Sequence, residues 1–283
     1  MFERLFTYVS FVRLSHTVFA LPFALTGALL AAQTIPLTWG RVGLIIAAMF
    51  TARTAAMGFN RLVDAGYDAE NPRTASRELP MGLVSRREAI ILVSVASVVF
   101  VGVAFMLGTL CFVLSPVALV IIFWYSLAKR YTTYTQLYLG LALAVAPVGG
   151  WIAAGGRGGF APWILALGTA MWVAGFDILY AFEDINFDRK RGLFSIPVRF
   201  GIKTSLLLSR VFHAVTVISL LAIAFVVPLG PVYIVGVIGV ALLLAYEQSL
   251  VHVDDLSRVK RAFNINGYVG ILYFLTTVVA IYV

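Results

Sequence analysis

The sequence predicts an all-α membrane protein, a bundle of about nine transmembrane helices with a polar cap from the loops after helices two and six. Three observations favour this fold class. Hydrophobic residues make up 61% of the 283 residues and charged residues only 12%, which gives a mean hydropathy of +0.97. Apolar stretches of about 20 residues, long enough to cross the ~30 Å hydrocarbon layer as helices, recur along the chain. Basic residues collect between alternate stretches.

The spans are bounded by turn residues. Pro228-Leu-Gly-Pro231 and Gly155-Gly-Arg-Gly-Gly159 interrupt the apolar pattern. The first segment carries Glu3, Arg4 and Arg13 and runs into a full-length apolar stretch without a cleavage site, so we expect no signal peptide. No linker divides the chain, so we expect one domain over 1–283. The predicted spans are about 11–32, 41–62, 88–108, 110–127, 135–154, 162–182, 204–228, 231–250 and 264–282.

Charge predicts the orientation of these spans. Nearly all Lys and Arg fall in the loops after the second, fourth, sixth and eighth spans, while the opposite loops hold only Arg41 and Arg157. By the positive-inside rule, the charged loops and the N-terminus are cytoplasmic. The same rule accounts for the net charge of +8, and no basic run interleaved with aromatics indicates a nucleic-acid partner. The single cysteine, Cys111, is expected to serve packing.

The two longest predicted loops, about 63–87 and 183–203, lie on the charged face, and acidic residues stand at the start of each at helical spacing. Residues three or four apart share one face of a helix, so each set should present its oxygen atoms together. The first set is Asn60, Asp64 and Asp68, and the second is Asp177, Tyr180, Asp184 and Asp188.

These oxygen donors suit Mg²⁺, which binds through one or two carboxylates together with substrate phosphate oxygens. Carboxylates stacked on a helix face repel one another, so two such stacks at one membrane face indicate a shared cation. The alternative is a pair of solvated helix ends. The sets also overlay with an offset of 120 residues, which suggests a weak internal repeat.

Basic residues near the acids could neutralise a diphosphate as its bond to carbon breaks. For this role we favour Arg73, Arg77, Lys129 and Lys190, and we attribute Arg130, Arg189 and Arg191 to topology.

Arg53 is a different case, because it lies within the second span about two turns before Asn60. A charge there costs at least ~2.5 kcal/mol on insertion scales, so we expect Arg53 to point into the bundle and hold an anionic co-substrate, with a snorkelling arginine as the alternative. Arg13 is shallower, and either interpretation fits it. The spacings of zinc sites, serine hydrolases and Walker loops are absent from the sequence.

The joint pattern resembles the UbiA family of intramembrane aromatic prenyltransferases over nearly the whole chain. The resemblance rests on Asn60-x3-Asp64-x3-Asp68, Arg73 and Arg77, Tyr125-x3-Lys129 and Asp177-x2-Tyr180-x3-Asp184-x3-Asp188. Ser15-His-Thr-Val-Phe-Ala-Leu-Pro-Phe, Gly58-Phe-Asn-Arg and Ile196-Pro-Val-Arg-Phe-Gly further resemble a bacterial branch of 4-hydroxybenzoate polyprenyltransferases. Part of that branch serves menaquinone formation by the futalosine route.

The resemblance implies Mg²⁺-dependent transfer of a polyprenyl group from polyprenyl diphosphate to a ring carbon of an aromatic acid, in ubiquinone or menaquinone biosynthesis. It implies catalytic roles for Asp64, Asp68, Asp184, Asp188, Lys129 and Tyr180. It implies substrate contacts for Arg53, Arg13, Asn60, Arg73, Arg77, Tyr125 and Lys190. It implies metal contacts for Asn60, Asp64, Asp68, Asp177, Asp184 and Asp188. The rings of Tyr125, Tyr180, Phe59 or Trp124 could stabilise an allylic cation.

Several alternatives stay open at this point. The acceptor is 4-hydroxybenzoate, 1,4-dihydroxy-6-naphthoate or a non-carboxylate such as a haem vinyl group, and Arg53 favours the acids. A transporter or channel could also use charges inside a membrane, but nearly all acids gather at one face. We expect membrane lipid around the protein, and no obligate protein partner is evident from the sequence.

Overall fold

The structure is a computed structural model that describes residues 2–13, 19–33 and 36–283. The described residues form eleven α-helices, and their only β pairing is an isolated bridge between His252 and Asp255. The helices are α1 (Phe2–Phe11), α2 (Leu21–Ala31), α3 (Trp39–Glu70), α4 (Arg86–Leu107), α5 (Thr109–Ala128), α6 (Thr135–Ala153), α7 (Ala161–Tyr180), α8 (Ile185–Arg191), α9 (Ile196–Ile223), α10 (Pro231–Ser249) and α11 (Val259–Tyr282).

Eight of these helices are long and apolar enough to cross a membrane, which confirms the all-α membrane fold class. They correspond to the second through ninth predicted spans. The first predicted span, 11–32, contains the shorter apolar helix α2, and its residues 14–18 lie outside the described residues.

Helices α3 and α9 extend furthest beyond their predicted bounds toward the charged face. Helix α3 continues to Glu70, because no residue interrupts it before Asn71, whose successor Pro72 disfavours helical backbone at that position. Helix α9 begins at Ile196, where the Ser195 hydroxyl accepts a hydrogen bond from the backbone N–H of Val198 at 3.3 Å. The first acidic set therefore lies on the last turns of α3, and both predicted loops are shorter than expected.

The second acidic set does not share one helix face, contrary to our prediction. Helix α7 ends at Tyr180, a 3₁₀ turn covers Ala181–Glu183, and α8 begins at Ile185. Asp184 stands between the two helices, where Asn71 and Arg73 from the segment after α3 donate hydrogen bonds to its carboxylate. These tertiary contacts stabilise a bend that helical periodicity does not predict.

Helix α7 lies at the centre of the bundle and packs closely against α6 and α9. Beside it, α2 and α6 approach each other backbone to backbone. A Cβ at Gly27 would stand 2.1 Å from the Pro147 carbonyl oxygen, and one at Gly150 would stand 1.9 Å from that of Ala24. Only glycine permits this contact, which helps to form one wall of the cavity described next.

Candidate active site

The ends of α3 and α7 meet through hydrogen bonds to one carboxylate. Asn71 Nδ2 and Arg73 Nε donate to Asp184 Oδ1 at 2.9 and 2.8 Å, and a second guanidinium nitrogen of Arg73 contacts Asp184 Oδ2. Arg73 Nη1 also donates to the Tyr180 hydroxyl at 2.9 Å, with the guanidinium 5.3 Å from the ring centre. The structure thus brings together the segments that carry the two acidic sets.

The carboxylate of Asp64 holds two bases from the end of α5. Lys129 Nζ lies 2.7 Å from Oδ2, and Arg130 Nη2 lies 2.8 Å from Oδ1. Asn60 Nδ2 is 3.5 Å from the same carboxylate. Only 5% of the Asp64 side chain is exposed, so this charge depends on its partners rather than on water.

Asp68, one turn further along α3, is also paired and buried. Arg77 Nη1 donates to Oδ1 at 2.7 Å, while Arg61 Nη1 lies 4.0 Å from Oδ2. Oδ2 is enclosed and makes no hydrogen bond to any described residue. Among the buried carboxylate oxygens of α3, this one alone lacks a hydrogen-bond donor from a described residue.

Sequence reasoning missed several members of this cluster. Arg130, which we attributed to topology, donates to Asp64 and to the carbonyl oxygens of Ser126 and Val63. Arg61 and Asn71 were not considered, and the ring of Tyr67 lies 5.7 Å from Lys129 Nζ and 5.2 Å from the Arg130 guanidinium. The adjacency of Arg130 to Lys129 was the available signal.

Electrostatics place Asp188 in the same cluster. Partial burial, together with the charge of Asp184, raises the pKa of its carboxyl to about 6 against the opposing charges of Lys129 and Arg73. For Arg73 itself, burial acts to lower the pKa, but the hydrogen bonds and charge of Asp184 outweigh it and raise the pKa above its ordinary value. Arg73 therefore stays charged.

An apolar cavity of about 570 Å³ lies between α2, α3, α4, α5, α6 and α7. Its wall includes Cys111 and many alanines, with Arg53 and Tyr125 among its few polar residues. The Nε atom of Arg53 is buried and lacks a hydrogen-bond partner among the described residues. Tyr125 lies within electrostatic range of Arg53, Asp64 and Asp177. The end of the cavity that holds Arg53 is therefore close to the acidic cluster.

The remaining predicted residues take different positions. Asp177 is half-buried on α7, one turn before Tyr180. Arg13 is exposed, has a positive φ of 47°, and does not line the cavity, so the structure does not place it in the central pocket. Lys190 is exposed without an ion pair to a described residue. Trp124 is 41% exposed and stacks on Tyr131, away from the acidic cluster.

The donor atoms of the acidic residues determine whether they fit a divalent cation. Among the described residues, no three Asp, Glu, His or Cys side chains form a preassembled metal cluster, because bases hold Asp64, Asp68 and Asp184. The available donors are nevertheless carboxylate and amide oxygens, and the Oδ2 of Asp68 is a hard ligand that accepts no hydrogen bond from a described residue. This donor set fits Mg²⁺, which takes few protein ligands and completes its shell with phosphate oxygens and water.

Comparisons with known proteins agree with this arrangement. A family model described as the UbiA prenyltransferase family matches residues 20–275. A 4-hydroxybenzoate octaprenyltransferase from Aeromonas salmonicida is 30% identical over 276 residues, which cover 96% of this chain and 95% of that protein. One from Vibrio parahaemolyticus is 33% identical over 251 residues, with 89% and 88% covered.

Solved structures give the same result. The apo structure of a UbiA homologue from Aeropyrum pernix K1 matches with a TM-score of 0.86 and 37% identity, covering 94% of this chain and 98% of that one. A UbiA homologue from Archaeoglobus fulgidus bound to GPP and Mg²⁺ shares the fold, with a TM-score of 0.74, 20% identity and 98% of this chain and 100% of that chain covered. The chain therefore belongs to the UbiA prenyltransferase family and is an integral membrane prenyltransferase.

Proposed function

We propose that the protein transfers a polyprenyl group from its diphosphate to a ring carbon of 4-hydroxybenzoate, with Mg²⁺ required. One observation carries this proposal. The paired acids and bases at the ends of α3 and α7 lie close to an apolar cavity whose wall holds Arg53, with its Nε atom buried and without a hydrogen-bond partner among the described residues. A diphosphate, an apolar chain and a carboxylate acceptor then each have a site of matching chemistry.

The basic residues of the cluster bind the diphosphate. Arg73, Arg77, Lys129 and Arg130 are held at their positions by carboxylates, so they are oriented before substrate arrives. As the carbon–oxygen bond breaks, the bonding electron pair leaves with the diphosphate, and negative charge grows on its oxygen atoms. Cations fixed beforehand stabilise that charge without a cost of reorganisation.

The acidic residues hold the metal. Asp64, Asp68, Asp184 and Asp188 supply carboxylate oxygens, with Asn60 and Asp177 next to them. Bound Mg²⁺ supplies positive charge that neutralises diphosphate oxygens. Support comes from the Oδ2 of Asp68, which lacks a hydrogen-bond donor among the described residues, and from the related Archaeoglobus fulgidus protein, which binds GPP and Mg²⁺.

Arg53 holds the acceptor through its carboxylate, and the electron-rich ring attacks the allylic carbon. A bond forms between the allylic carbon and a ring carbon. The ring carbon then loses its proton to an oxygen of the diphosphate or of a site carboxylate, and the ring regains aromaticity. The apolar wall excludes water that would quench the allylic cation, and the faces of Tyr125 and Tyr180 stabilise it. The names of the bacterial relatives, 4-hydroxybenzoate octaprenyltransferases, favour this acceptor over 1,4-dihydroxy-6-naphthoate.

We further propose that this single domain lies in a bacterial cytoplasmic membrane with the acidic cluster on the cytoplasmic side. The support is the charge asymmetry of the loops.

The acceptor is tested with the purified protein, polyprenyl diphosphate and either acid, with diphosphate release measured and the product identified by mass spectrometry. We expect prenylated 4-hydroxybenzoate, and no product once EDTA removes Mg²⁺. Product from the naphthoate alone would replace the proposed acceptor, and turnover that survives EDTA would remove the metal from the proposal.

A further inference from the structure

A groove of about 460 Å³ lies between α9 and α10, apart from the site described above. Helix α9 packs mainly against α7, and α10 packs mainly against α11, so the two helices meet each other only loosely. Ala214, Val217, Ala241, Leu244 and Ala245 line one part of the groove, and Arg210, His213, Gln248, Ser249 and His252 line the rest.

The groove is polar at one end and apolar along its length. Helix α10 ends at Ser249, so Ser249, His252 and the antiparallel Arg210 mark the level where the helix reaches the charged membrane face. Val217 and Ala241 lie about two turns deeper. The small side chains at Ala214, Ala241 and Ala245 leave space between the helices, and this space has the length of part of an acyl chain.

The side chain of Arg210 forms no hydrogen bond or ion pair with a described residue. It is exposed in a helix long and apolar enough to span the membrane, and no described carboxylate lies within 4.0 Å of its guanidinium. At the membrane face, where lipid phosphates lie, an arginine can bind phosphate oxygens with two N–H groups at once. Lys203, seven residues earlier, lies on the same face of α9 and adds positive charge.

The polar wall behind this arginine is fixed. Gln248 Nε2 donates to the Ser209 hydroxyl at 2.7 Å and lies 3.0 Å from His213 Nδ1. Asn266 donates to Glu247 Oε1 at 2.8 Å and accepts from the Trp172 indole at 2.7 Å. The groove is therefore part of the folded structure, with its walls held by buried hydrogen bonds.

We propose that this groove binds an anionic phospholipid, with the headgroup phosphate at Arg210 and one acyl chain along the apolar wall between α9 and α10. Charge complementarity commits the site to an anionic lipid. Arg210 and Lys203 give the site a positive charge that would repel the choline cation of a zwitterionic headgroup, and a free phosphate would not use the apolar wall.

The test is native mass spectrometry of the full-length protein equilibrated with dioleoylphosphatidylglycerol or with dioleoylphosphatidylcholine, counting the lipids retained. We expect preferential retention of the anionic lipid. Arg210→Gln should weaken it roughly 10-fold or more, the effect of losing a charge-assisted hydrogen bond. Ala245→Leu, which fills the groove and keeps every charge, should weaken it as well, and Ala214→Leu repeats that test if Ala245→Leu does not fold.

Two matched controls should retain the lipid. Arg86→Gln removes an exposed arginine at the start of α4, and Val235→Leu adds bulk on α10 at a position that is 67% exposed and outside the groove. Thermal unfolding of each variant checks that it is folded.

Four results would overturn the proposal. Equal retention of the two lipids would mean that the headgroup charge is not recognised. Equal loss in Arg86→Gln would indicate diffuse surface charge. Displacement by inorganic phosphate would indicate an anion site without a lipid. A change from dimer to monomer in the groove variants, with lipid retention unchanged, would assign the groove to a second copy of the chain.

Discussion

Asp184 and Asp64 differ in how deeply the protein encloses them, and this difference separates activity from stability. The Asp184 side chain is 19% exposed, whereas that of Asp64 is 5% exposed and holds two bases. Asp184→Asn should lower kcat by ~100-fold or more through its effect on diphosphate stabilisation. Its Tm should fall less than that of Asp64→Asn, because an asparagine oxygen can still accept from Asn71 and Arg73. Asp64→Asn should lose activity and also ~1 to 3 kcal/mol of stability, because it leaves charges poorly paired.

Glu70→Gln is the control for both variants. It removes one negative charge at the end of α3, where Glu70 is half-exposed and pairs with Arg191. We expect its activity within a few-fold of wild type. Near-normal turnover in both aspartate variants would rule out the proposed metal and diphosphate site.

Substitutions at Arg53 and at Arg77 should change different kinetic parameters. A carboxylate acceptor keeps its charge from ground state to transition state, so Arg53→Gln should mainly raise the KM for the aromatic acid. Arg77→Gln should mainly lower kcat, because its guanidinium stabilises charge that grows on the leaving diphosphate. A lost charge-assisted hydrogen bond costs ~1.5 to 3 kcal/mol, or roughly 10- to 150-fold.

Steady-state kinetics with each substrate varied in turn would measure this separation. If Arg53→Gln acted on the KM for the prenyl diphosphate and left that of the acid unchanged, Arg53 would belong to the diphosphate site. The argument for an acidic acceptor would then lose its main support.

At the scale of the helices, Gly201 interrupts α9 with φ 76° and ψ 171°, a conformation open to essentially no residue except glycine. Gly201→Ala should therefore destabilise the protein by ~1 to 3 kcal/mol, observed as a lower Tm in a defined detergent. Gly102→Ala is the matched control, since a Cβ there meets nothing within 4 Å and the backbone is helical. Equal Tm values for the two variants would contradict this account of the interruption.

The helices were predictable where hydrophobicity determines them and unpredictable where polar residues do. Predicted spans three, four, five, six and eight lie within a few residues of α4, α5, α6, α7 and α10, because apolar length is a direct physical requirement of the membrane. The seventh span starts and ends later than α9. The last turns of α3 carry Asp64 and Asp68, which pair with bases, and such polar turns leave no hydropathy signal. The bend at Asp184 depends on Arg73, over 100 residues away in sequence.

The sequence was enough to predict which acidic residues belong to the candidate site, but not which residues pair with them. Spacing brought out Asp64, Asp68, Asp184 and Asp188, because carboxylates three or four residues apart are conspicuous in an apolar chain. The partners of these acids come from other helices, as Arg130 and Asn71 do, and no local pattern encodes them. Arg13 matched the family only weakly, and its exposure shows how little a lone arginine specifies.

For the molecule as a whole, orientation is a testable consequence of the charge distribution. In a Cys111→Ser background, Met81→Cys places a thiol in the segment between α3 and α4, and Arg157→Cys places one between α6 and α7. Three spans separate these sites. An impermeant maleimide added to intact cells should label position 157 only, and permeabilised cells should show labelling at both. The opposite result would reverse the proposed orientation.

The single cysteine can report whether the apolar cavity is occupied. Cys111 lines the wall of the apolar cavity, so a prenyl chain that enters should shield the sulfur from a membrane-permeant maleimide. Its alkylation rate should fall as polyprenyl diphosphate is titrated, which would give a dissociation constant without any turnover. A thiol at Phe105, on the lipid-facing side of α4 and outside the cavity, should react at an unchanged rate. The alkylation rate of Cys111 would thus measure the binding of polyprenyl diphosphate, the step that precedes the reaction.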